Sequence, residues 1–359
     1  MPKQACALGC ADAAGVTPAH CLEFDPTGPI DSTDLVVQGV KSFTGKNLKF
    51  DSDTGHITTD DGATEIRAAN ADPTKEEVDT NGIGFRRVNG QIGIFQFADL
   101  TINAADGFHV NGATGSLPLG LVASGTITIN GKIDLGCGRS HILSPFTSAG
   151  SNAGGPGGSD GVGPGGGKHG VTASTYSLSG GGGGGHGVAG GSGGVGRLDK
   201  FSGGDTAAGA GGALVMDTMG PLGGGGGGGN GNATGDYAQG GAGGGAIEVV
   251  AGKEIIIGSG AGTATAKNTS EGINVGGCAG GYAFGSGAGG GAGGSIFVEA
   301  PKVTGKLNAG LGANGGAGGG SVSDSEDGLI STAQALGNLG NCSFAFARST
   351  ERSRPTPAS

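Results

Sequence analysis

Glycine decides what this chain can fold into. It supplies 89 of the 359 residues, and most of them fall between about Cys137 and Gly320 in runs such as Gly180–Gly185 and Gly223–Gly229. Glycine loses the most backbone entropy on folding and buries almost no surface. Such a chain needs a scaffold outside the glycine runs. Hydrophobic residues make up 35% and aromatic residues 4%, with no Trp, which is thin for a layered α/β core. It suits an elongated fold around a narrow column of aliphatic side chains.

That scaffold is visible as an internal repeat. Leu119–Ala123, Leu214–Thr218, Ile247–Ala251 and Ile296–Ala300 align, and the last three follow Gly-Gly-Ala or Gly-Gly-Ser. Period-2 alternation places Leu119, Leu121 and Ala123, Leu214 and Met216, Ile247, Val249 and Ala251, and Ile296, Val298 and Ala300 on one face. The opposite face carries Asp217, Glu248 and Glu299. A second strand, Ile127–Ile129 continuing to Gly131–Asp134, recurs as Ile255–Ile257 and as Val303 with Gly305–Asn308; the copy near Leu214 lacks it. Repeat starts lie 95, 33 and 49 residues apart, so the Gly-rich excursions vary while the strands persist. One repeat cannot bury its own apolar face, but stacked neighbours can. The expected fold is all-β: an elongated parallel β-solenoid, or β-helix, rising roughly 4.8 Å per coil, with long Gly-rich loops.

Residues 1–34 form a Cys-containing N-terminal segment, and 35–115 a β-rich cap with the first coils. Within the cap, Asp51–Gly55 reads as a turn between Asn47–Phe50 and His56–Thr58. Ala69–Val78 reads as a polar loop with one helical turn at Thr74–Val78. The solenoid spans 116–345, with Gly-rich insertions at 137–210, 223–244, 269–293 and 310–320. The polar tail 346–359 reads as disordered. Three states of the glycine runs stay open: mobile linkers, chains packed as polyglycine II helices, or binding surfaces.

A charge of −10 argues against a nucleic-acid partner, which needs clustered Lys and Arg. No apolar run is long enough for a transmembrane helix. Residues 1–6 carry no signal sequence, so the expectation is a cytosolic chain or one whose signal is already removed. Cys6, Cys10, Cys21, Cys137, Cys278 and Cys342 are read as disulfide candidates of an exported protein; the Cys6/Cys10/Cys21 spacing misses the usual zinc pattern.

A glycine-rich chain generates chance motifs. Gly157–Gly161 fits the nucleophile-elbow pattern around Ser159 but lacks the flanking strand and helix. Asp51 and Asp53 are the calcium candidates, though no Glu follows at the twelfth position and a plain hairpin turn is the default. His169 and His186, both beside glycines, have nothing to fix a shared metal geometry. Asp217, Glu248 and Glu299 are the candidate acids of a β-helix polysaccharide lyase or hydrolase, set against the plain need of a strand for a polar outer face.

The run Leu119–Asp134 and the blocks ending Val250-Ala251 and Glu299-Ala300-Pro301 resemble glycine-rich surface or secreted proteins common in myxobacteria, many of them labelled as similar to the PE-PGRS proteins of mycobacteria. No helical PE-type hairpin begins this chain. The resemblance implies an extracellular or cell-surface location and a structural or adhesive role, without catalytic residues or a cofactor. The expected function is a non-catalytic module displaying Gly-rich loops for self-association, as a homo-oligomer or filament, or for contact with a surface polysaccharide or protein. The alternatives are the carbohydrate-active enzyme and an ice- or mineral-binding surface, for which Thr126/Thr128 with Thr263/Thr265 form too short an array.

Overall fold

A computed structural model describes residues 10–11, 20–21, 24–35, 39, 41–43, 48–59, 61–103, 109–111, 116–136, 149–156, 158–170, 179–193, 196–197, 205–206, 208–215, 239–260, 271–283, 286–306 and 309–319. The protein is all-β. Among the described residues there is no α-helix, and one 3-10 turn, Ser32–Asp34, is capped by Asp31. Among the described residues no helix is long and apolar enough to cross a membrane.

Three sheets carry the chain. The first runs Val303–Gly305, Glu254–Ile257, Thr126–Ile129, Leu100–Ile102, Lys41–Phe43, all parallel. The second runs Ala309–Gly312, Glu271–Asn274, Lys132–Asp134, His109–Asn111, Leu48–Phe50 in parallel, then Ile57–Thr59 and Glu65–Arg67 antiparallel. The third runs Ser295–Glu299, Ala246–Ala251, Leu119–Ala123, Ile92–Phe97 in parallel, then Gly84–Val88 and Glu77–Val78 antiparallel. Each chain pass over 92–111, 119–134, 246–274 and 295–312 gives one strand to the third sheet, one to the first and one to the second.

Alternation sets the register. Leu119 lies opposite Ile247, and Ile247 opposite Ile296; Ile127 lies opposite Ile255, and Ile133 opposite Ile273. Their side chains fill one continuous core with Leu121, Val249, Ile129 and Ile257. Toward the N-terminal end that core becomes aromatic, with Phe50 and Phe95 edge to face at 5.0 Å. Here the Asp51–Gly55 turn forms as its sequence predicts, with Gly55 at φ 77°. The buried Arg67 ties this end together. It donates to the carbonyls of Ile83, Gly55, Ala68 and Glu77 and to Asn70 Oδ1.

Three local expectations are overturned. Leu214 begins no strand: 208–215 is an extended glycine segment and Leu214 is exposed. The third-sheet neighbour of Leu119–Ala123 is instead Ala246–Ala251. Thr74–Val78 forms no helical turn, because Glu77–Val78 pairs antiparallel with Gly84–Phe85. The partners of Lys132–Asp134 are Glu271–Asn274, which the repeat did not predict, and these pair in turn with Ala309–Gly312 rather than Gly305–Asn308.

The described glycine segments bond to each other through the backbone, and the donors recur every third residue. Gly209, Gly212 and Val215 donate to Gly180, Gly183 and His186; Gly240, Gly243 and Ala246 to Gly155, Asn152 and Ala149; Ala288, Gly291 and Gly294 to Gly281, Cys278 and Val275. Segments 277–280 and 314–317, and 181–184 and 287–290, are joined at the same spacing. At Gly212 a Cβ would lie 1.9 Å from Gly165 O, and at Gly294 it would lie 1.7 Å from Gly245 O. Only glycine permits this approach.

Candidate functional site

The carboxylate row is the strongest site candidate in the sequence, and its setting differs from the expected one. Third-sheet strands were expected to show solvent a polar outer face. The middle of that face is apolar instead: Ile92, Ile94, Val122 and Val250 form a second buried cluster. Residues 24–35 lie across it, with Ile30 fully buried among those four. The adjacent apolar pairs Leu121-Val122 and Val249-Val250 carry the signal of a strand covered on both sides, which the alternation argument passed over.

Glu248 sits beneath this strap. It has no exposed surface, and neither carboxylate oxygen has a hydrogen-bond partner. A Cβ on Gly28 would lie 2.0 Å from Glu248 Oε1 and 3.0 Å from the Phe297 ring, so a side chain there would have to displace the Glu248 carboxyl. Burial, then the Glu299 charge, pushes the Glu248 carboxyl up to about 8; the Ile30 amide, without the geometry of a hydrogen bond, offsets this only in part, and Asp34 adds a further upward push. Glu248 is therefore a neutral acid at pH 7. Glu299 accepts from Thr27 N and Gly28 N at 3.0 and 3.4 Å and from Thr27 Oγ1 at 2.6 Å. Asp34, fully buried, is paired by Arg86, whose Nε donates at 2.8 Å. Glu299 and Asp34 thus anchor the strap, and Glu248 offers no surface to a solvent-borne substrate. Asp217 lies outside the described residues.

The calcium candidates are occupied by the backbone. Asp51 Oδ1 accepts from Asp53 N at 2.8 Å and Thr54 N at 3.2 Å. The Asp53 carboxylate accepts from Ser116 N at 2.8 Å and Leu117 N at 3.3 Å. No group of three metal-ligating side chains occurs among the described residues. Ser159 lies in a turn, its amide donating to Pro156 O. His169 Nδ1 meets Asp160 at 2.7 Å, and Lys168 Nζ meets the same carboxylate at 2.8 Å. That lysine contact, with the His169 amide, holds the Asp160 carboxyl well below the usual carboxylate range. His186 is elsewhere, against Ser295 at 3.4 Å.

Cys278 is disulfide-bonded. Cys10 and Cys21 are register partners in an antiparallel pair of short strands. Cys6, Cys137 and Cys342 lie outside the described residues. Sequence reasoning missed a cluster on the second sheet: Lys132 Nζ is 2.5 Å from Asp134 Oδ2, and Asn274 Nδ2 donates to Asp134 Oδ1 at 2.8 Å. Lys and Asp two apart on one strand were legible; the Asn, 140 residues on, was not.

No family model matches the chain, and neither the curated proteins nor the solved structures contain a significant match.

Proposed function

We propose that this chain is a non-catalytic structural or adhesive module of an exported or cell-surface protein. In this reading the three sheets are the sides of one parallel β-solenoid, whose successive passes stack in register. Its Gly-rich segments are polyglycine II helices packed into a solid body. The observation that carries the reading is the three-residue recurrence of backbone hydrogen bonds between glycine segments, the repeat of a threefold extended helix. Mobile linkers have no such partners. The Cys278 disulfide supports an oxidising compartment, and the resemblance to glycine-rich surface proteins points the same way. Self-association at the last described strands, where Val303 and Leu311 are exposed, completes the proposal.

Amide hydrogen exchange tests it. Segments 179–193, 208–215, 239–245, 274–281 and 286–294 are expected to exchange as slowly as the strands 247–251 and 255–257. Exchange at random-coil rates in the glycine segments, with protection confined to strands, overturns the packed body and with it the structural role.

A further inference from the structure

The trio Lys132, Asp134 and Asn274 has the makings of a covalent bond. Asp134 and Asn274 are directly opposite on neighbouring parallel strands, and Lys132 lies diagonally across from Asn274. Lys132 and Asn274 are 8% and 3% exposed. One carboxylate holds both: Oδ2 meets Lys132 Nζ at 2.5 Å, and Oδ1 accepts from Asn274 Nδ2 at 2.8 Å. The Asn274 carbonyl oxygen accepts from Gly276 N at 3.2 Å. At Gly136 a Cβ would lie 2.4 Å from Asn274 Nδ2, so a side chain there would press on the amide where it meets the carboxylate.

We propose that Lys132 and Asn274 are joined by a self-formed isopeptide bond, with Asp134 as acid–base catalyst. One carboxylate thus gathers a largely buried amine and a buried amide, the set of groups that acyl transfer to nitrogen requires. The step begins with transfer of a proton from Lys132 Nζ to Asp134 Oδ2, which frees the lone pair on Nζ. Nζ then attacks Asn274 Cγ. The Gly276 amide stabilises the oxyanion that develops on Oδ1. Asp134 takes the second Nζ proton as its first goes to Nδ2; the Cγ–Nδ2 bond breaks and ammonia leaves. Amine plus primary amide gives secondary amide plus ammonia, with no change in oxidation state and no co-reactant. The bond ties Lys132–Asp134 to the next strand of the second sheet, a covalent staple between chain passes.

Intact-mass spectrometry of the reduced, full-length chain tests this. The expected mass falls below the sequence mass by about 17 Da, one ammonia, and digestion yields a branched peptide joining the Lys132 and Asn274 segments. Lys132→Arg, which keeps a cation beside Asp134, and Asp134→Ala are each expected to restore the full mass. A wild-type chain at its full sequence mass overturns the proposal and leaves the trio as an ion pair with a hydrogen bond. A mass loss that persists in Lys132→Arg also overturns it, because cyclisation of the asparagine on its own backbone loses ammonia without the lysine.

Discussion

Glu248→Gln is the sharpest probe of how the strap is held. The folded protein keeps the Glu248 proton up to about pH 8, against 4.5 for the free side chain. The folded state therefore binds this proton more tightly than the unfolded state. Its stabilising contribution is complete below about pH 4.5 and is lost as pH rises through about 8. At about 1.4 kcal/mol for each tenfold change in proton affinity, the whole span amounts to about 5 kcal/mol. That figure is a ceiling, because the strap can lift before the protein unfolds. Undocking it exposes Ile30, worth about 2–3 kcal/mol, and breaks the Thr27–Glu299 hydrogen bonds, worth about 1 kcal/mol each. The two costs are comparable, while the buried Asp34–Arg86 pair holds the far end of the strap, so ionisation of Glu248 is expected to loosen residues 27–30 near pH 9.

Gln keeps the shape of the side chain and removes the titration. Urea unfolding of wild type and Glu248→Gln at pH 5, 7 and 9, with amide exchange of residues 24–35, gives the readout. The stability difference is expected to move in favour of Gln by about 2–5 kcal/mol between pH 5 and pH 9, with protection of residues 27–30 lost in wild type alone. A difference that stays constant over that range refutes the reasoning. Contributions common to both proteins cancel in this difference.

Three further substitutions test the rest of the body. Gly190→Ala places a Cβ 2.1 Å from Gly183 O, whereas a Cβ at the adjacent Gly191 meets nothing within 4 Å. By denaturant unfolding, Gly190→Ala is expected to cost about 2 kcal/mol or more, and Gly191→Ala to lie within about 1 kcal/mol of wild type on the stabilising side; equal effects would remove the case for tight packing there. Arg67→Ala leaves the carbonyls of Ile83, Gly55, Ala68 and Glu77 without their donor and is expected to cost about 3–5 kcal/mol, measured as a fall in the unfolding midpoint.

The strands that alternate were legible in the sequence, and so was their mutual alignment: Leu119, Ile247 and Ile296 pair as the repeat places them. Leu214 misled because the Gly-Gly-Ala before it suits a glycine segment as well as a strand; Gly212 and Val215 belong to the three-residue ladder. Glu271–Asn274 was invisible, since a strand with Ile273 as its one large apolar residue has no period to detect. The strap was invisible for a similar reason. Its contact rests on Ile30 and Gly28 in a Pro-, Gly- and Asp-rich stretch, and a lone isoleucine does not say which face it covers. The burial of Glu248 follows from that contact and could not be read before it.

The glycine ladder raises a question of register that its own few side chains answer only in part. Within an uninterrupted run of glycines a slip of three residues remakes the same backbone bonds, so such a run has little alignment of its own; only the few non-glycine residues resist it, as Ala288 would on reaching the place of Gly291, where a Cβ lies 1.9 Å from Ala242 O. The strands supply the alignment. Segment 239–245 runs directly into Ala246–Ala251, 286–294 into Ser295–Glu299, while 275–281 follows Glu271–Asn274 and 313–319 follows Ala309–Gly312. In each the register of the adjoining strand is fixed by which side chains face the core. Gly244 donates to Ala292 because Ile247 is opposite Ile296, and Val275 donates to Gly312 because Ile273 is opposite Leu311. A small apolar column thereby sets the alignment of a larger body that has almost no side chains. Loss of one strand pair is then expected to loosen the glycine segments attached to it as a unit, rather than residue by residue.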